Sequence, residues 1–81
     1  MQINVRLFAV LRERAGVEQF ALDLADGATV DAAVEQVSLR VPMIRDLLPR
    51  VAFAVNRAYV KSGAELADGD ELALIPPVSG G

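Results

Sequence analysis

The sequence has 81 residues, 53% of them hydrophobic and 23% charged, with a formal net charge of −3. That describes one small domain which buries about 60–65% of its unfolded surface, and which is too acidic to favour a nucleic-acid phosphate backbone. Cysteine and histidine are both absent, which excludes disulfides, a thiol nucleophile, the usual zinc ligands and the usual general base near neutral pH.

Gln2 to Phe8 alternate, with Ile3, Val5 and Leu7 on one side and Gln2, Asn4 and Arg6 on the other, which predicts a half-buried strand. Phe8 to Ala15 reads as a short helix, and Gly16 suits its C-terminal stop. Gln19 to Leu24 alternate again, with Phe20, Leu22 and Leu24 together. The first two strands are therefore expected to be antiparallel neighbours joined through a helical turn. After a turn at Ala25 to Ala28, Thr29 is a candidate N-cap, and Asp31 sits where the helix dipole favours an anion. Val30, Ala33, Val34, Val37 and Val41 then recur at helical spacing and form one apolar stripe. Pro42 ends that helix, and Ile44, Leu47 and Leu48 suggest one more helical turn before Pro49.

Val51 to Val55 reads as a third strand, with Val51, Phe53 and Val55 on one face. Asn56-Arg57 turns into Ala58-Tyr59-Val60, and Asn56 is expected to serve that turn through a local bond from its side chain to the backbone. Asp68-Gly69-Asp70 is a turn before the last strand, Glu71 to Ile75. The acidic residues there lack the ligand spacing of a calcium loop, and no metal site is expected. One amphipathic helix must cover one face of a mixed sheet, because neither buries its apolar side alone. The expected fold is α+β, a ubiquitin-like β-grasp with about five strands, one main helix across one face, and the first and last strands side by side in the centre. Its body is 1–75 and its flexible, extended C-terminal tail is 76–81. No apolar run approaches the ~20 residues of a membrane span, and no signal peptide is visible, so the expected compartment is the cytoplasm, with neither membrane nor nucleic acid as partner.

The tail is Pro76-Pro77-Val78-Ser79-Gly80-Gly81. Two prolines stiffen its exit from the last strand, and Gly80 and Gly81 lack the Cβ that a narrow channel would reject. Six extended residues reach about 20 Å, enough to place a terminal carboxylate inside another protein. The plain alternative is a chain end rich in small residues, as chain ends often are. The strand and prolines before it favour a working tail, with the carboxylate of Gly81 as its reactive group.

Four stretches carry a resemblance to a known family. They are Val5-Arg6-Leu7-Phe8-Ala9 with Leu11-Arg12-Glu13, Phe53-Ala54-Val55-Asn56, Leu66-Ala67-Asp68-Gly69-Asp70-Glu71-Leu72-Ala73, and the Pro-Pro-Val-Ser-Gly-Gly end. In this order and over nearly the whole chain, they resemble the small subunit of molybdopterin synthase, a sulfur carrier of molybdenum cofactor biosynthesis. The resemblance implies that an ATP-dependent, E1-like enzyme adenylates Gly81, that sulfur displaces AMP to leave a thiocarboxylate, and that the tail donates this sulfur to a cyclic pyranopterin precursor. It implies a large synthase subunit as partner, in a heterotetramer, with the catalytic pocket on that subunit and no cofactor bound to this chain.

Phe8 is out of phase with Ile3, Val5 and Leu7, and Ile75 is out of phase with Leu72 and Leu74. Both therefore point away from the helix-covered face, where an apolar side chain is surplus surface or a contact site. With Tyr59, they match the family's apolar patch beside the tail, so the resemblance implies partner contacts at Phe8, Tyr59, Ile75, Pro76, Pro77, Val78 and Ser79. Arg12 and Glu13 match the family pattern and read equally as contacts with the activating enzyme or as a solvated helix face, whereas Lys61 reads as an ordinary surface lysine ahead of a partner contact. Three rival functions share parts of this pattern: a carrier for thiamine thiazole or amino-acid synthesis, a ubiquitin-like modifier joined through Gly81 to lysine, and a binding module with an inert tail.

Overall fold

The alternating segments pair into one sheet in the computed structural model, which describes residues 1–77. Its strands are β1 (Gln2–Leu7), β2 (Gln19–Asp23), β3 (Ala52–Val55), β4 (Ala58–Val60) and β5 (Glu71–Ile75), with helices α1 (Ala9–Ala15) and α2 (Val30–Arg40). The spatial order is β2-β1-β5-β3-β4. β1 runs parallel to β5 and antiparallel to β2, while β3 runs antiparallel to β5 and β4. The first and last strands are thus central neighbours, as expected, and the mixed sheet with one long helix is the anticipated β-grasp.

The core follows from the two periodicities. Ile3, Val5, Leu7, Leu22, Leu72 and Leu74 project from the sheet, and Val30, Ala33 and Val37 from α2, and all are buried together. Thr29 caps α2 by accepting a bond from the Ala32 N–H at 3.4 Å. The turn expected after Pro42 is two single 3₁₀ turns, Pro42–Ile44 and Leu48–Arg50, which bury Ile44 and Leu48. Val51 falls outside β3 as the residue closing the second of these turns, though its side chain is buried as its alternation requires.

Two expectations need correction. Phe8 is not helical: it keeps the extended backbone of β1, at φ −120° and ψ 153°, while its carbonyl already accepts the Leu11 N–H at 3.0 Å. It is an N-cap without a capping side chain, and strand direction overrides helix pattern there. Asn56 is the second: its side chain bonds to Asp70 and Glu71 and not within its own turn. Of the tail, Pro76 and Pro77 are described. Val78, Ser79, Gly80 and Gly81, which hold the expected acceptor group, lie outside the described residues. Among the described residues no helix is long and apolar enough to cross a membrane.

Candidate functional site

The sheet face opposite α2 carries a groove built from one cross-strand row. Arg6 lies opposite Ala73, Ala73 opposite Ala54, and Ala54 opposite Tyr59. Two alanines therefore form the floor, between an arginine and a tyrosine that stand higher. One step further along β5, Ile75 lies opposite Ala52, and Phe8 follows β1 at the same level. The resulting hollow has a volume of about 310 Å³ and gathers Phe8, Tyr59 and Ile75, with Arg6, Arg57 and Glu71 at its rim. Tyr59 is 75% exposed, so its ring covers little of its own fold. Aromatic rings with a polar tip are enriched at protein interfaces. A larger hollow beside α2, about 470 Å³, includes Asp31, Arg45 and Phe53 and collects none of the residues expected at the site.

Charge at the rim is partly neutralised. The Arg6 guanidinium lies 3.7 Å from Glu71 and 3.8 Å from Glu18, and sits 5.2 Å from the centre of the Phe8 ring. A cation over an aromatic face is attracted by the ring quadrupole. The same contact holds Phe8 toward the groove.

The β3–β4 turn shapes the far end. Asn56 and Arg57 both have positive φ, 50° and 72°, the pattern of a type I′ hairpin turn. Contrary to the expectation from its sequence position, the Asn56 side chain does not bond within its own turn. Its Oδ1 accepts the Glu71 N–H at 3.0 Å and its Nδ2 donates to Asp70 at 2.9 Å, while its own N–H donates to the Glu71 carbonyl at 2.9 Å. The reason is tertiary: β3 pairs with β5, which brings Asp70 and Glu71 within hydrogen-bond reach of the side chain. The side chain adds a rung to the β3–β5 ladder and sets the turn that carries Arg57. Replacing Asn56 with Ala is expected to cost about 1–2 kcal/mol, through lost hydrogen bonds and the poorer left-handed conformation. Urea denaturation measures it, and an unchanged midpoint would refute the clamp.

Residues 5–81 match the ThiS family. Over the full length of both chains, the protein is 41% identical to a molybdopterin synthase sulfur carrier subunit of Chlamydomonas reinhardtii. The chain belongs to the ThiS family, among the molybdopterin synthase sulfur carrier subunits. Solved structures agree with this ThiS-family assignment. SAMP1 of Haloferax volcanii, a small archaeal modifier protein, matches with a TM-score of 0.92 at 31% identity, covering 100% of both chains. A chain in the complex of subunits 1 and 2 of molybdopterin-converting factor from Helicobacter pylori matches with a TM-score of 0.71 at 26% identity, again over 100% of both.

Within this ThiS-family chain the structure brings together Phe8, Tyr59 and Ile75, with half-buried Pro76 and exposed Pro77 leaving β5 directly after Ile75. Arg12, Glu13 and Lys61 are exposed outside the groove. Sequence reasoning passed over Arg6, Arg57 and the alanine floor. Period-two alternation already put Arg6 on Phe8's face. No local pattern marked Ala54 and Ala73 as partners, because they meet only through the β3–β5 register.

Proposed function

We propose that this ThiS-family chain carries sulfur on the carboxylate of Gly81 and delivers it for molybdopterin synthesis, docking on the large synthase subunit through the groove of Phe8, Tyr59 and Ile75. The observation that carries the reading is the groove's position: it runs along the outward face of β5 from Glu71 to Ile75, and Pro76-Pro77 leaves that strand at the Ile75 end. A partner held there has the root of the tail at its edge. The chemistry needs no side-chain nucleophile. A carboxylate oxygen of Gly81 attacks the α-phosphorus of ATP on the activating enzyme, and pyrophosphate leaves. A sulfide-equivalent nucleophile then attacks the acyl carbon, AMP leaves, and a thiocarboxylate remains. Its sulfur bonds to an oxygen-bearing side-chain carbon of the pyranopterin precursor in the large subunit's pocket as that carbon's bond to oxygen breaks and the oxygen departs; water then hydrolyses the resulting thioester to free the Gly81 carboxylate, and two rounds replace two oxygens by the two sulfurs of the dithiolene.

The experiment is intact mass after incubation with ATP, the activating enzyme and a sulfur donor, followed by capture of the large subunit. One sulfur gained for one oxygen, with capture, is expected. The likeness to a small archaeal modifier protein favours a second reading, in which Gly81 is joined to a lysine. A covalent adduct with another protein would support it, and an unchanged mass would sink both.

The docking residues have their own test. Phe8→Ala is expected to weaken binding to the large subunit about tenfold or more, as for a central interface aromatic, while cooperative unfolding persists. Calorimetric titration reads the affinity, and an unaltered Kd would exclude Phe8 from the interface.

A further inference from the structure

The two arginines at the groove differ in a way that singles out Arg57. Arg6 is engaged by Glu71, Glu18 and the Phe8 ring. Arg57 lines the same hollow, is exposed, and has neither an ion pair nor a side-chain hydrogen bond among the described residues. Its backbone is left-handed, at φ 72°, in a turn position that glycine fills without a Cβ clash. Nothing within the chain's described part compensates for an arginine there. The turn is also held before any partner arrives, because Asn56 is bonded to Asp70 and Glu71. A guanidinium on a fixed base loses less freedom on binding than one on a loose loop.

We infer that Arg57 is a specificity residue of the docking groove, pairing with a carboxylate on the large synthase subunit beside the apolar contacts to Phe8, Tyr59 and Ile75. This rests on the docking reading above. Charge complementarity selects the occupant. The planar fork of a guanidinium matches a carboxylate in two parallel hydrogen bonds. The chain as a whole carries −3, so a broadly acidic partner surface is repelled, and the fit is one carboxylate within a surface otherwise apolar or basic. A rim pair of this kind acts mainly on partner choice and salt dependence.

The test measures Kd between the full chain and the large synthase subunit at low and high ionic strength, with Tm alongside. Arg57→Gly is expected to weaken binding about two- to fivefold at low salt, less at high salt, with Tm not lowered. Arg57→Lys should recover part of the affinity, and Arg57→Glu should lose more than Arg57→Gly. An Arg57→Gly affinity equal to that of the unsubstituted chain overturns the inference, as does a loss equal at both salts or accompanied by a fall in Tm. If Phe8→Ala loses affinity and Arg57→Gly does not, docking stands and only the role of Arg57 falls. If the unsubstituted chain forms no complex, both fall.

Discussion

Deleting Gly81 is expected to abolish sulfur acceptance while leaving the fold unchanged. The deletion moves the carboxylate onto Gly80 and shortens the tail by about 3.5 Å. Acyl transfer needs reacting atoms within about 3–3.5 Å in a fixed alignment, and a misplacement of 1 Å is already costly. No cysteine or histidine elsewhere can take over, since the sequence contains neither. Among the described residues the buried core runs from Ile3 to Leu74, and the deletion changes none of those side chains. Intact mass should show no sulfur gain in the shortened chain, and its thermal unfolding should overlay that of the full chain. Gly81→Ala tests the same point with length retained, since it adds only the Cβ that a narrow channel rejects. Full sulfur transfer by the shortened chain would end the carrier proposal.

Leu74→Ala should have the largest effect on stability. Leu74 is fully buried in β5, the strand flanked on both edges by β1 and β3. It lies opposite Leu7 on one side and Phe53 on the other. Truncation removes buried methyl groups and leaves a cavity in a sheet that has little room to collapse, at a cost of about 2–5 kcal/mol. Domains hold roughly 0.05–0.15 kcal/mol per residue, or about 4–12 kcal/mol at this length. One substitution therefore removes a large share of the total. In urea the midpoint should drop with an unchanged slope. A midpoint within error of the unsubstituted chain would show that the packing around Leu74 is not as described. The same change sits one residue before Ile75, so groove and tail root should loosen with the core.

Much of this was legible locally. The alternation of Ile3, Val5 and Leu7 settled which side of β1 faces the helix, and so turned Arg6 and Phe8 outward. The valine stripe, with Thr29 before it and Pro42 after it, delimited α2 to within a residue of its observed bounds. These signals are readable because each depends on a repeat of 2 or 3.6 residues, or on one residue's own backbone preference. The likeness spread over four stretches likewise pointed to the family that the comparisons then showed.

The composition of the groove was decided elsewhere. Ala54 and Ala73 become its floor because β3 and β5, nineteen residues apart at those positions, align in one register. Asn56 found Asp70 and Glu71 rather than its own turn for the same reason. Phe8 reads as helical beside Ala9 to Ala15, yet it keeps an extended backbone directly after β1 and stands as the N-cap of α1. Its neighbours in sequence favour one conformation, and its place at the end of β1 imposes another. Periodicity assigns a side chain to a face, but only strand pairing brings side chains from different strands to the same point on it. That is why Phe8 and Ile75 could be marked as outward from the chain alone, while their meeting with Tyr59, Arg6 and Arg57 required the assembled sheet.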